Sequence, residues 1–115
     1  LLEYCVRQHE LFTSAPILEE VRRNLVAKVK ATPAQAGQTV GLLRTRLRVV
    51  EPLDLGTRVC RDADDDVVLG TALGGRCDAV VTGDPALLEL ESYPDVAILS
   101  PRGFWAFERT RRSRG

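Results

Sequence analysis

Residues 62–84 read DADDDVVLGTALGGRCDAVVTGD, and the fold turns on how that stretch is parsed. Asp64, Asp65 and Asp66 precede Val67, Val68, Leu69, Ala72 and Leu73, which recur at helical spacing. Acids in a first helical turn face the positive end of the helix dipole, so the cluster reads as a helix start. Gly74 and Gly75 then stop that helix. The run Ala79, Val80, Val81, Thr82 is short, mostly β-branched and uncharged, as a strand buried on both faces requires. Gly83-Asp84-Pro85 ends it, with Pro85 placed as the first residue of a further helix over 86–90. Asp65 therefore sits at a helix start and Asp84 just past the carboxyl end of a strand. In open α/β sheets that edge is where ligands bind.

Outward from this unit the chain alternates. Residues 1–10 read as the end of an amphipathic helix, with Leu1, Leu2, Cys5 and Val6 on one side and His9 near it. The sequence holds no methionine and opens without a cap, so the N-terminus reads as cut. A short strand is expected at 11–13, and Ser14 then caps a helix through Pro16, Ile17, Leu18, Val21, Leu25 and Val26. Thr32-Pro33-Ala34-Gln35 is a capping box that opens a second helix over 34–46, weakened by Gly37 and Gly41. Residues 47–51 alternate into a strand that Pro52 ends. A last strand is expected at 95–99. Ser100 and Pro101 then start a terminal helix whose Phe104, Trp105 and Phe107 are expected to pack against the sheet. The order α, β, α, α, β, α, β, α, β, α argues for an α/β fold of three layers, α/β/α, around a parallel sheet of about four strands.

Composition narrows the chemistry. At 115 residues with 44% apolar content, the chain is one domain or part of one, and no apolar run approaches the roughly 18–20 residues of a membrane span. The default compartment is cytoplasmic. Formal net charge is zero, which argues against wholesale coating of nucleic acid. The local exception is Arg109, Arg111, Arg112 and Arg114, which make residues 109–115 a basic tail: either a solvated end or a contact for RNA phosphates or an acidic partner. Cys5, Cys60 and Cys77 are widely spaced and read as reduced structural thiols. With His9 the only histidine, a zinc site built on histidine or a Ser-His-Asp triad has almost nothing to work with. An EF-hand over Asp62-x-Asp64-x-Asp66 fails because Val67 and Leu73 stand where that loop needs glycine and glutamate.

Four blocks taken together resemble a known family: S-x-P-I-L-E-E-V-x-x-x-L from Ser14, R-D-A-D-D-D-V-V-L-G-T-A-L from Arg61, A-V-V-T-G-D-P-A-L-L-E-L from Ala79, and V-A-I-L-S-P-R-G-F-W from Val96. In that order and spacing they resemble the PIN domain, in the branch catalogued as toxins of bacterial toxin–antitoxin systems, the VapC-like ribonucleases. The resemblance implies an endoribonuclease dependent on Mg²⁺ or Mn²⁺, with acids converging at the carboxyl edge of the sheet. It implies Glu20, Asp65 and Asp84 as catalytic and metal-binding residues, Asp62 and Asp66 as flanking or alternative ligands, and Thr82 as support. Arg109, Arg111 and Arg112 are the candidate RNA contacts. The expected partners are an RNA substrate, a cognate antitoxin protein and a second copy of the chain, with no membrane. Independently of the family, carboxylate oxygens suit hard divalent cations, and such ions can clamp an in-line phosphodiester displacement.

The family's first block, a strand ending in Asp-Thr-Asn, is expected before Leu1 and is absent from the sequence. The domain over 1–108 is thus expected to lack its central strand, between the strands at 11–13 and 79–82. Such a sheet would carry unpaired backbone groups and a metal site short of one carboxylate. The alternative reading is a catalytically inactive, truncated remnant acting as a protein-interaction module. Asp84 as a plain helix cap, Asp64 to Asp66 as dipole partners and Glu20 as a solvated helix residue are the structural alternatives at each site position.

Overall fold

The computed structural model describes residues 3–8 and 10–114, with side chains up to residue 109. Strands β1 (Tyr4–Arg7) and β2 (Glu10–Thr13) come first, followed by helices α1 (Ala15–Ala27) and α2 (Pro33–Arg46). Then come β3 (Arg48–Val49), α3 (Ala63–Gly74), β4 (Ala79–Val81) and the short α4 (Pro85–Leu88). The chain closes with β5 (Ser92–Tyr93), β6 (Val96–Leu99) and α5 (Pro101–Arg114).

The largest departure from expectation is at the start. Tyr4 to Arg7 is a strand where the spacing predicts a helix; Leu1, Leu2 and His9, which shared in that reading, lie outside the described residues. Tyr, Cys and Val suit a pleated, packed surface better than a helix. Cys5 and Val6 are both buried although neighbours in a strand point to opposite faces, so both sides of β1 are covered. Arg7 stands opposite Glu10 across a hairpin, and Gln8 takes the positive φ of 50° that such a tight turn asks for.

β1 lies between β2 and β4, where the reading above left a gap. Among the described residues the sheet has six strands in the order β3-β2-β1-β4-β6-β5, not four, and it is mixed rather than parallel. β2 with β3 and β4 with β6 are parallel, whereas β1 runs antiparallel to both of its neighbours. The backbone groups expected to be unpaired thus find partners within the chain. β5, unforeseen, pairs antiparallel with β6 through a turn at Pro94-Asp95, where Asp95 has φ 70°. Proline followed by a left-handed residue is the pattern of a type II turn, and Tyr93-Pro94-Asp95 carried that signal.

The middle layer is buried on both sides. Cys5, Phe12, Val80 and Ile98 pack on one face with Ile17 of α1, Val68, Leu69 and Ala72 of α3 and Leu87 of α4. Val6, Thr13, Ala79 and Val81 are buried on the other. At the rim of the first face the Arg7 guanidinium lies 5.0 Å from the Phe12 ring centroid. The capping box of α2 is as expected: Gln35 N donates to Thr32 Oγ1 at 3.1 Å and Thr32 N to Gln35 Oε1 at 2.9 Å. Ser14 precedes α1 without a side-chain cap, because its Oγ accepts instead from Thr71 Oγ1 at 2.8 Å, joining α1 to α3 in the core.

Along α5, Phe104 and Phe107 are half-buried and Glu108 is buried, but Trp105 is 66% exposed. The expected packing of all three aromatics therefore fails for the tryptophan. Adjacent helical residues diverge by about 100°, so Phe104 and Trp105 cannot share a face. The helix runs unbroken past residue 108. Among the described residues no helix is long and apolar enough to cross a membrane.

The glycines of α3 have a use beyond stopping it. Gly70 and Gly74, one turn apart, face the segment that follows β3, and Leu53 N donates to Gly70 O at 2.8 Å. A Cβ on Gly70 would run into the Leu53 carbonyl oxygen, and one on Gly74 into that of Glu51. Gly37 of α2 has open space around it. Gly70→Ala is expected to destabilise the fold by about 1–3 kcal/mol through overpacking. Gly37→Ala is expected to stabilise it by up to about 1 kcal/mol through helix propensity. Urea melts of the two variants beside the parent check this; equal midpoints would remove the role given to the 51–53 contact.

Candidate functional site

The carboxyl edge of β4 and β6 is built from backbone outward. Thr82 N donates to Leu99 O at 2.9 Å, fixing the chain as it leaves β4. Thr82 Oγ1 then accepts from Asp84 N at 3.0 Å, so the threonine positions the aspartate's backbone. Asp84 caps α4, its Oδ1 accepting from Ala86 N at 2.9 Å, and its side chain lies half-buried beside a cleft of about 530 Å³ that Arg61 and Glu89 also line.

Three acids at the head of α3 have three different environments. Asp62 is the N-cap, exposed, with Oδ1 accepting from Asp64 N at 2.9 Å. Asp66 turns toward the preceding loop, accepting from Cys60 N at 2.7 Å and Val59 N at 3.2 Å, with Arg58 Nε at 3.6 Å. Burial works against its charge, but those hydrogen bonds and the guanidinium prevail and hold its carboxyl below the usual range. Asp66 is thereby a loop anchor whose oxygens are occupied. The same carboxylate and burial push the Cys60 thiol up to about 12, with burial the larger cause, which leaves that cysteine inert as a nucleophile.

Asp65 alone points inward, 7% exposed. Burial first, then the charges of Asp84 and Asp62, a hydrogen bond with Asp84 and the charge of Glu3 raise its pKa to about 7. Asp65 and Asp84, nineteen positions apart, therefore meet at one point.

Glu3 was not foreseen. It precedes Tyr4, which faces Val81, so it stands level with Thr82 at the acid edge. Burial and the charges of Glu20 and Asp84 raise its pKa. No motif marks it; only the strand reading of residues 4–7, with its alternation, would have put Glu3 on the Cys5 face. Glu20, half-buried on α1, reaches the cluster through Glu3 and lines a separate cleft of about 240 Å³ with Asp64. Glu19, its neighbour, is taken up by an ion pair with Arg22.

Of the expected set, then, Asp65 and Asp84 are joined, Glu20 and Asp62 flank them, and Asp66 is turned away. Arg109 is exposed on α5, while the side chains of Arg111 and Arg112 lie outside the described residues. As the side chains stand, no group of three His, Cys, Asp or Glu among the described residues is disposed to hold a metal ion. The oxygens a hard cation would draw on are those of Asp65, Asp84, Glu3 and Glu20.

A family model described as the PIN domain matches residues 5–86, more than half of the chain. The chain belongs to the PIN domain family. Its matched span covers β1 to the head of α4, and so includes Glu20, Asp65 and Asp84. Comparison with curated proteins and with solved structures returned no match. Membership suggests nuclease activity and nucleic-acid binding in general terms.

The raised Asp65 has a signed consequence. Between about pH 4, where an ordinary aspartate ionises, and pH 7, the folded chain holds a proton at Asp65 that the unfolded chain has released. Stability from this group is therefore greatest at the acid end and falls as pH rises through 7. Asp65→Asn is expected to remove that slope and to raise stability at pH 8 by on the order of 3 kcal/mol. Melting temperatures of parent and variant from pH 4 to 8 check it; parallel profiles would show that Asp65 titrates normally.

Proposed function

We propose that this PIN domain is a metal-dependent endoribonuclease of toxin–antitoxin type, hydrolysing RNA phosphodiester bonds with a carboxylate-bound Mg²⁺ or Mn²⁺. The observation that carries the reading is the buried Asp65, held against Asp84 among further carboxylates, its pKa raised to about 7 first by burial and then by those neighbours. Carboxylates pressed together at a sheet edge cost stability, and a functional site is where such a cost is retained. In chemistry the donors are the hard oxygens that Mg²⁺ and Mn²⁺ prefer. In geometry the cluster is open, and Glu20, Asp65, Asp84 and Glu3 are the residues that would close on the ion.

When bound, the ion supplies an activated water and neutralises charge on the phosphate. The chain's own parts in the reaction are positional and protonic. Asp84 is fixed at both ends, by Thr82 Oγ1 at its backbone N and by Ala86 N at its carboxylate. Asp65 is shielded from solvent, and its carboxylate, once deprotonated, would be one of the oxygen donors to the cation. Arg61, lining the same cleft as Asp84, offers a guanidinium to a phosphate on the substrate side. RNA as substrate, and neutralisation by an antitoxin encoded beside it, rest on the branch that the four sequence blocks resemble.

The test is cleavage of single-stranded RNA by the whole chain, with EDTA and after restoring Mn²⁺. Mn²⁺-dependent cleavage is expected, lowered on the order of 10²-fold or more by Asp65→Asn or Asp84→Asn, as for loss of one electrostatic stabiliser. Titration calorimetry with Mn²⁺ gives a second reading independent of turnover. No heat and no cleavage would leave the inactive interaction module as the better description.

A further inference from the structure

Among the described residues, one face of α5 is left exposed by the packing of the domain. Arg102, Trp105, Ala106 and Arg109 are exposed, whereas Phe104, Phe107 and Glu108 are turned inward. Residues 102, 105 and 109 are spaced three and four apart and so lie on one side of the helix. Trp105 at 66% exposure is a large apolar surface to leave in water, and the arginines on either side of it are exposed with it. The Trp105 ring sits 6.2 Å from that of Phe104 at an angle of 56°, so it is braced from below while its outer surface is open.

The location is as telling as the composition. α5 begins two residues after Leu99, whose carbonyl accepts from Thr82 N, and Asp84 follows Thr82 by two. The first turn of α5, with Arg102, thus starts at the sheet edge that carries Asp84. From Arg102 to Arg109 the helix rises about 10 Å away from that edge.

We infer that the Arg102–Trp105–Arg109 face of α5 is the track on which single-stranded RNA lies as it approaches the acid edge. This rests on the nuclease reading proposed above for the purpose of the track, though not for its existence. The charge logic selects the occupant. The catalytic edge is negative and repels a phosphate backbone, so the strand needs cationic purchase close by but off the carboxylates, and two arginines give it. A tryptophan between them offers a base a stacking surface, which is the combination that sequence-tolerant single-strand binders use. A duplex, with its bases already stacked, has nothing to place on Trp105.

Trp105 is the only tryptophan in the sequence, so its fluorescence reports on this face alone. The experiment is titration of a short oligouridylate into the whole chain in EDTA, at several salt concentrations, with an RNA duplex of the same length as comparison. Quenching of Trp105 by the single strand and not by the duplex is expected. Trp105→Ala, followed by fluorescence anisotropy of labelled RNA, is expected to weaken binding about 5- to 100-fold, in line with loss of one stacked base. Arg102→Ala and Arg109→Ala are each expected to flatten the log–log salt slope by about 0.7. Because all three side chains are exposed, unchanged melting temperatures confirm that folding is not what was lost.

Affinity untouched by these three substitutions, or quenching equal for the duplex, overturns the track. Emission that shifts with protein concentration in the absence of RNA, together with loss of self-association in Trp105→Ala, overturns it in favour of a contact between copies of the chain. The two readings fail separately. Mn²⁺-dependent cleavage that ignores the Trp105 and Arg102 substitutions leaves the nuclease standing without the track, and selective quenching without any cleavage leaves the track without the nuclease.

Discussion

The pairing of β1 with β4 through Tyr4, Cys5 and Val6, and with β2 through Cys5, Val6 and Arg7, is the constraint on which the rest of the molecule depends. Without a strand in that position the sheet falls into two pieces, the parallel pair β3-β2 and the three strands β4-β6-β5. With it, β2 delivers the chain into α1 and Glu20 on one flank, and β4 delivers Thr82 and Asp84 on the other. Because β1 runs against both neighbours, its amino end comes to the edge where theirs are carboxyl ends. The direction of one strand therefore decides that Glu3, and not a residue after Arg7, joins the acids.

Those acids illustrate how placement separates identical side chains. Asp62, Asp65 and Asp66 occupy five consecutive positions with Ala63 and Asp64, yet one is a solvated cap, one a buried acid pressed on Asp84, and one a clasp on the backbone of residues 59–60. Successive residues of a helix point some 100° apart, so a run of aspartates is distributed around the axis rather than concentrated. The member facing the sheet is the most deeply buried, and only it acquires a raised affinity for a proton. The stability forfeited there is offset elsewhere, by the two-faced core and by the close seating of residues 51–53 on Gly70 and Gly74.

Much of this was legible before any coordinates. The helix over 63–74, the strand over 79–81 and the capped helix over 33–46 follow from caps, glycines and β-branched runs, because these act over a few residues and need no partner. Asp65 and Asp84 were legible for the same reason, each lying at the end of an element whose limits are locally written. The strand at 4–7 was not, since Tyr-Cys-Val suits a strand only where other strands are waiting on both sides, which is tertiary information. Glu3 disappeared with it. The exposure of Trp105 was hidden by the habit of treating a cluster of aromatics as one packing unit, when their spacing along α5 forbids it. The engagement of Asp66 depended on where the irregular loop at 59–60 would run, and loops carry no periodicity to read.

The central strand has a further consequence for how the molecule comes together. β1 and β2 meet across a tight hairpin, and β5 and β6 across another, so both can zip from sequence neighbours. Cys5 and Val80 are different: of all strand pairings in the sheet, β1 with β4 closes the longest loop and carries the greatest chain-closure entropy. That closure is also the event that brings Glu3 to the edge that carries Asp84. The costliest step in chain entropy and a step that sets carboxylate against carboxylate are thus one and the same, and the collapse of apolar side chains on both faces of β1 is what drives them through together.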